Sequence, residues 1–287
     1  MHLADRALAG HPDAKAALET ALLDLDGQVA GQPIWHLLGG HKPVPVDLSM
    51  SIANPDWAQD IDLMDRAYEA GLRLFKFKGG FADHAFDVMR VKAARDRFPQ
   101  ARLRLDYNQG LSSETALRDV PKLDDLGLDF IEQPVTARDW QTMADLTARL
   151  KTPLLADESV FDPLDLDLGI SRRIACGASI KIAKSGGPGR GLAMIKQARA
   201  ADWSVYGGDM FETGISHLAG LHMITAAGGV DLGCEFYHAN WHVNRDVLAE
   251  PFPGTGKTLT APSAPGLGLP VDEDYIRHTA TDHQALK

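Results

Sequence analysis

Five charged residues fall at near-even steps through the middle of this 287-residue chain: Lys78, Asp106, Glu132, Asp157 and Lys181. The steps are 28, 26, 25 and 24 residues. Each residue closes a short apolar, strand-like run, in order RLFKFK, ARLRLD, LDFIE, TPLLAD and ASIK. A step of that length holds one strand and one helix. In a closed parallel barrel, successive strand ends converge on one face, and chemistry sits on that face.

The same rhythm extends in both directions. Strand candidates span 44–52, 74–78, 102–106, 128–132, 153–157, 178–182, 203–207 and 232–236. Between them apolar residues recur three and four positions apart, as in Trp57, Ile61, Met64, Ala67 and Tyr68, or Leu192, Ile195 and Ala198, which is the helical period. Ser112-Ser113-Glu114, and Thr136 with Asp139, are helix-start signals. Strands alternating with helices predict a parallel sheet. Eight such units predict an α/β fold of the TIM-like barrel type. The rival, an open doubly wound sheet, would bind at one switch point and leave five consecutive strand ends unexplained.

The two ends read differently. Positions 12–30 predict an amphipathic helix with Ala17, Leu18, Ala21, Leu22, Leu25 and Val29 on its apolar side. A Gly-Gln-Pro break and a short turn ending at Gly39-Gly40 follow. The Pro- and Gly-rich stretch 237–287 reads as a tail packing back on the rest. The expected division is therefore 1–43, 44–236 and 237–287.

The formal net charge of −10, with acids and bases interspersed, argues against nucleic acid or an anionic membrane as partner, because both call for a basic surface. Cys176 and Cys234 are the only cysteines. That predicts no disulfide framework and a reducing, cytoplasmic setting. The N-terminal MHLADRALAGHPDAK lacks the apolar core of a signal peptide, and no run has the length of a membrane span.

Asp106, Glu132 and Asp157 offer oxygen only, which suits Mg²⁺, or Mn²⁺, with positions left for water or substrate. No histidine or cysteine stands at a matching strand end, so zinc is disfavoured there. Singly, each acid would read as a cap on the helix that follows it; three on consecutive strands read as ligands. Lys78 and Lys181 would flank the metal. Lys76 faces the same side as Lys78 and would lower its pKa toward that of a general base. Lys184 reads as a surface lysine whose stem covers apolar surface.

Metal and flanking lysines together suit one task. A substrate carboxylate binds the metal, a lysine takes the α-proton, and the enediolate is held by fixed positive charge. A Schiff-base aldolase would need one buried lysine and no acid triad. A non-catalytic barrel would need none of the five residues. His238, Trp241 and His242 in YHANWHVN read as packed tail. Gly186-Gly187-Pro188-Gly189 reads as a tight βα turn in preference to a phosphate cradle.

These residues resemble the enolase superfamily, in its muconate-cycloisomerase-like (mandelate racemase/muconate lactonizing enzyme) subgroup, over nearly the whole chain. Lys76-Phe77-Lys78 resembles that subgroup's K-x-K, Asp106-Tyr107-Asn108 its D-x-N, Ile131-Glu132-Gln133-Pro134 its E-Q-P, Ala156-Asp157-Glu158-Ser159 its D-E-S, and Lys181 to Gly187 its K-x-x-K-x-G-G. Gly207-Gly208-Asp209-Met210-Phe211-Glu212 resembles a late-strand segment whose glutamate faces substrate. The resemblance implies a (β/α)7β barrel under a capping domain. It implies Mg²⁺ on Asp106, Glu132 and Asp157, acid/base roles for Lys78 and Lys181, and tuning of Lys78 by Lys76. Asn108 and Glu158 would support these groups, and Glu212 would face substrate. Members of the family begin with an antiparallel β-meander. No such strands precede the helices here, so a truncated cap reduced to a helical remnant is expected. The implied activity is racemisation, epimerisation or muconate-type cycloisomerisation of a small carboxylate, with β-elimination as the alternative. The implied assembly is a homo-oligomer.

Overall fold

In the computed structural model, which describes residues 1–254 and 256–281, three helices come first: α1 (His2–Ala7), α2 (Pro12–Ala30) and α3 (Ile34–Leu37). A short strand β1 (Pro45–Asp47) follows. Then come the seven strands of one parallel sheet, hydrogen-bonded in chain order: β2 (Ser49–Ile52), β3 (Leu74–Lys78), β4 (Arg102–Asp106), β5 (Ile131–Glu132), β6 (Leu154–Ala156), β7 (Gly177–Ile180) and β8 (Ser204–Gly207). Helices α4 (Trp57–Glu69), α5 (His84–Arg97), α6 (Ser113–Asp119), α7 (Trp140–Arg149), α8 (Pro163–Arg172), α9 (Ile182–Ser185), α10 (Pro188–Ala200) and α11 (Gly214–Ala226) connect the strands and follow the last of them. The last elements among the described residues are α12 (His238–Trp241), β9 (Thr258–Thr260), which pairs antiparallel with β1, and α13 (Glu273–Thr279).

The eighth strand candidate, 232–236, is an extended segment clamped between the two edges of the sheet. Cys234 N donates to Asp47 O and Cys234 O accepts from Ser49 N, while Glu235 N donates to Gly207 O. Both edges of the curled sheet thus find partners and the barrel closes. Gly233 makes the close approach possible. Its φ is +77°, and a Cβ there would stand 2.4 Å from Asp47 O.

Strand alternation sorts the side chains. Phe75 and Phe77 of β3 are fully buried in the shell under the helices. Lys76 points the other way, into the barrel, with its Nζ 5.0 Å from the Tyr206 ring centroid. Arg104, paired in register with Lys76, fills the level between Phe130 and Tyr206 at 4.9 and 5.1 Å from their centroids. Burying each large apolar shell residue contributes about 1.5–3 kcal/mol.

Two local expectations change. Helix α7 starts at Trp140, and its cap is Asp139, whose carboxylate accepts from Thr142 N at 3.1 Å; Thr136 lies before it. In α2 the large apolar residues face outward. Leu18, Leu22, Leu25 and Val29 are exposed, while Lys15, Ala16, Thr20 and Gly27 are buried. Close backbone approach decides this, because a Cβ on Gly27 would sit 2.6 Å from Gly266 Cα and 2.7 Å from Gln32 O. Gly27→Ala is therefore expected to destabilise the fold by about 1–3 kcal/mol, despite the better helix propensity of alanine. A thermal melt no lower than wild type would contradict that packing.

His222, on α11, ties three segments together. Its Nδ1 accepts from Trp35 N at 3.2 Å and its Nε2 lies 3.1 Å from Leu267 O. Burial lowers its pKa to about 4, below its ordinary 6.5. The neutral ring is thus favoured in the folded state. Its contribution, about 3 kcal/mol, is fully present above pH 6.5 and is lost as pH falls from 6.5 toward 4. Urea midpoints measured at pH 7 and pH 4.5 should differ less for His222→Gln than for wild type. Equal differences would contradict the assignment.

Candidate active site

The barrel register brings the row of charges to one end of the sheet. Lys78 stands opposite Asp106, and Asp106 opposite Glu132. Asp157 and Lys181 each follow the last residue of their strands, β6 and β7. Left-handed backbone at Asn108, Gln109 and Gln133 turns the chain away at once, so the strand-end side chains stay on the barrel mouth. Gln133 then fixes its neighbour. Its Oε1 accepts from Asp157 N at 3.0 Å and Ser159 N at 3.1 Å, and its Nε2 donates to Ser159 Oγ at 2.8 Å and Val135 O at 2.9 Å.

Lysines and acids alternate in contact. Lys78 Nζ donates to Asp106 Oδ2 at 2.7 Å and to Asn108 Oδ1 at 2.8 Å, and Asn108 Nδ2 donates to Glu158 Oε1 at 3.2 Å. Lys76 Nζ donates to Glu132 Oε2 and Glu235 Oε2, both at 2.8 Å, and lies 3.2 Å from Asp106 Oδ2. Lys76 and Lys78 therefore share one oxygen of Asp106. Lys181 Nζ donates to Asp157 Oδ2 at 2.5 Å. Lys184 Nζ donates to the other oxygen of Asp157 at 2.7 Å, and to Asp157 O and Ser179 O.

The electrostatics follow from this packing. Burial alone would lower the Lys76 ammonium, but Glu132, Glu235 and Asp106 override it and hold it well above its ordinary value. Burial likewise works against the charged form of Lys181, and Asp157 reverses the sign, pushing it up. Burial would raise Asp157, but Lys181 and Lys184 hold it well below the usual carboxylate range. Glu132 goes the other way. Burial first, then the negative charge of Asp106, pushes it up to about 7. Its Oε1 is buried with no hydrogen-bond partner.

That orphaned oxygen, between two further carboxylates, fits a hard cation. In the structure Asp106 and Asp157 are each turned to a lysine, and the three acids do not gather their oxygens within 4.8 Å of one another. Joint ligation requires Lys76, Lys78 and Lys181 to release part of their hold.

Four positioning groups were not among the site residues expected from the sequence. Lys184 is only 4% exposed, so it is a buried partner of Asp157 and not the surface lysine expected. Its signal is the three-residue step from Lys181, which returns it to the same side of the following helical turn. Glu235 completes the carboxylate shell of Lys76 and accepts from Ser51 Oγ at 2.5 Å. It lies on the eighth strand candidate, where a strand-end acid search would have met it. Ser51 and Gln133 carry no spacing signal of their own.

A cavity of about 770 Å³ is lined by Asn54, Asp60, Trp241, His242 and Ser51 among others, and Ser51 donates to Glu235. Glu212 lines a cavity of about 390 Å³ between α2, α9 and α11, with Thr20, Asp24 and Ile182 in its wall. Its carboxylate accepts from Ser216 Oγ at 2.9 Å, and burial pushes its pKa up to about 7.

Enzymes built on a closed parallel barrel work at the strand ends, and that is where the acid row and its lysines stand. A family model described as "Enolase C-terminal domain-like" matches residues 59–275, and one described as "Mandelate racemase / muconate lactonizing enzyme, N-terminal domain" matches residues 1–39. The chain is 32% identical over 275 residues to muconate cycloisomerase 1-2 of Acinetobacter lwoffii, covering 95% of this chain and 71% of the relative. It is also 32% identical over 274 residues to the L-Ala-D/L-Glu epimerase of Bacillus subtilis, covering 94% and 74%. A crystal structure of a muconate cycloisomerase from Azorhizobium caulinodans superposes with a TM-score of 0.88 at 39% identity, over 96% of this chain and 78% of that one. The muconate lactonizing enzyme of Pseudomonas fluorescens, complexed with muconolactone, superposes with a TM-score of 0.91 at 32% identity, over 96% and 74%. The chain belongs to the enolase superfamily, in its mandelate racemase/muconate lactonizing enzyme group, and is an isomerase of that superfamily. Among the described residues no helix is long and apolar enough to cross a membrane.

Proposed function

We propose that the protein is a Mg²⁺-dependent isomerase of the muconate cycloisomerase type, moving a proton at the α-carbon of a small carboxylate with Lys78 and Lys181 as its acid/base groups. One observation carries this reading. The two lysines grip opposite ends of a single acid row, Lys78 on Asp106 at 2.7 Å and Lys181 on Asp157 at 2.5 Å, with Glu132 between them.

Mg²⁺, or Mn²⁺, held by Asp106, Glu132 and Asp157 would supply fixed positive charge for the substrate carboxylate. The chain's own groups do the rest. Asp157 favours the protonated form of Lys181, and sharing that carboxylate with a cation would weaken the grip and move Lys181 toward the pKa of a base. Lys76 stays cationic among its acids. Lys184 and Gln133 keep Asp157 aimed at the row, and Asn108 links Lys78 to Glu158.

Epimerisation is the second reading. It is favoured by the placement of one lysine at each end of the row and by the equal similarity of the Bacillus epimerase. A panel of muconate and muconolactone, dipeptides, N-acyl amino acids and hydroxyproline derivatives, run in D₂O with millimolar Mg²⁺, separates the outcomes. Cycloisomerisation consumes the conjugated diene. Epimerisation places deuterium at the α-carbon with no change of composition. Elimination releases water. Loss of the diene is the expected result. No α-exchange and no lactone with any member of the panel would contradict the proposal. The homo-oligomer implied by the resemblance is tested by light scattering.

A further inference from the structure

Beyond the acid row, a second cluster has the composition of a different kind of metal site. Asp209 follows β8, His217 lies in the first turn of α11, and His238 opens α12. Asp209 Oδ1 is 3.0 Å from His217 Nε2, and its Oδ2 is 2.6 Å from His238 Nδ1. Side-chain exposures are 3%, 0% and 7% for Asp209, His217 and His238. Among the described residues this is the group of three whose ligand atoms all fall within 4.8 Å.

One contact of the cluster is a hydrogen bond, His217 Nε2 with Asp209 Oδ1 at 3.0 Å, but its other three imidazole nitrogens are buried without partners. The 2.6 Å approach of His238 Nδ1 lacks hydrogen-bond alignment, so that nitrogen has no partner, and neither has Nε2 on the same ring. His217 Nδ1 is also buried without a partner. An N–H aimed at a carboxylate would satisfy both atoms. Ligand atoms of one ion instead sit close together, with their lone pairs turned to a common point. The rings are also held in place. His217 stacks on Phe236 at 5.2 Å between centroids and meets Phe252 edge-on at 5.6 Å, while Tyr237 stacks on His238 at 4.3 Å.

We propose that Asp209, His217 and His238 form a site for a nitrogen-favouring divalent ion of the Zn²⁺ class, separate from the all-oxygen acid row and indifferent to Mg²⁺. Two imidazoles and one carboxylate are a zinc donor set that leaves one position open. The same set is poor for Mg²⁺, which takes oxygen ligands. Zinc–ligand distances near 2.0–2.2 Å imply ligand separations of about 3.3 Å in a tetrahedron, so the present contacts need to open by less than about 1 Å. His242 stands outside the site, its Nδ1 turned to Trp241 O.

The site is at hand to act on the barrel mouth. Glu212 N and Phe211 N donate to the two oxygens of Asp209, and Met210 Sδ lies 3.7 Å from Lys181 Nζ. An ion there would brace the loop that carries Glu212.

The test uses the full chain, stripped with a chelator and dialysed against Zn²⁺ or Co²⁺ in millimolar Mg²⁺. One Zn²⁺ per chain is expected to remain, with the Co²⁺ form showing the visible bands of a four-coordinate site with nitrogen ligands. His217→Gln and His238→Gln should each weaken retention by more than the roughly 10- to 100-fold that loss of an outer partner causes. Glu132→Gln, in the acid row, should leave it intact. Zn²⁺ should also raise the wild-type melting temperature in the presence of Mg²⁺, a readout that stands even where a histidine variant fails to fold. The proposal is overturned by wild-type protein that retains no zinc and shows no such rise. It is equally overturned by zinc that leaves with Glu132→Gln and stays in the histidine variants.

Discussion

Replacing Lys181 with alanine is expected to lower kcat by about 10²- to 10⁴-fold, the range that one positioned acid/base group supplies. The substitution should spare the fold. Asp157, the main partner of Lys181, keeps the second ammonium of Lys184 on its other oxygen at 2.7 Å, so no buried carboxylate is stranded. The loss should therefore fall on kcat, with KM little changed, because the lysine touches the reacting proton and not the substrate's anchoring groups. Lys78→Ala should lose activity in the same range. Lys78 is partly exposed at the barrel mouth, and Lys76 remains 3.2 Å from the Asp106 oxygen it vacates. Steady-state kinetics with circular dichroism on each variant checks both. A Lys181→Ala enzyme within about threefold of wild type would remove that residue from the chemistry, since a positioned general base contributes far more.

Asp157→Asn has the second large effect, and it strikes stability and activity together. The carboxylate holds two buried ammonium groups, Lys181 at 2.5 Å and Lys184 at 2.7 Å. An amide leaves both without a counter-charge. Breaking a buried pair in this way costs about 3–5 kcal/mol, and for a chain of this size each kcal/mol moves Tm by roughly 2–4 °C. A fall of about 10 °C is expected, with loss of divalent-metal affinity in a Mn²⁺ titration. The two losses separate in the double variant. Adding Lys181→Ala to Asp157→Asn removes one stranded charge and should recover part of the melting temperature, with no recovery of metal binding. Strict additivity of the two Tm changes would mean that the residues do not act as a pair.

Much of this was legible because the ladder is periodic. A strand-end acid recurs once per βα step, and the parallel register carries Lys78, Asp106 and Glu132 to one level. The barrel and the acid row were therefore readable from spacing, and the local motifs pointed to the family that the comparisons show. Groups placed by packing were less legible. Lys184 looks like any lysine in a helical turn, and only the fold buries it against Asp157. The buried face of α2 is set by contact between Gly27 and Gly266, residues 239 positions apart, so its large apolar residues misled. Glu212 lines the cleft beside α2, and the loop after β8 that carries it is turned by its own bonds to Asp209. Asp209, His217 and His238 stand eight and 21 positions apart, a spacing with no secondary-structure period, and three separate elements bring them together.

The central claim is that Lys78 and Lys181 exchange a substrate α-proton across a metal-binding acid row. Deuterium incorporation at the α-carbon, followed by NMR in D₂O, tests it most directly on whichever panel member turns over. Exchange is predicted for the wild type with Mg²⁺, with sharp loss in Lys78→Ala and in Lys181→Ala, and none in the double variant or in EDTA. Exchange at the wild-type rate in the double variant, or undiminished in EDTA, would contradict the account.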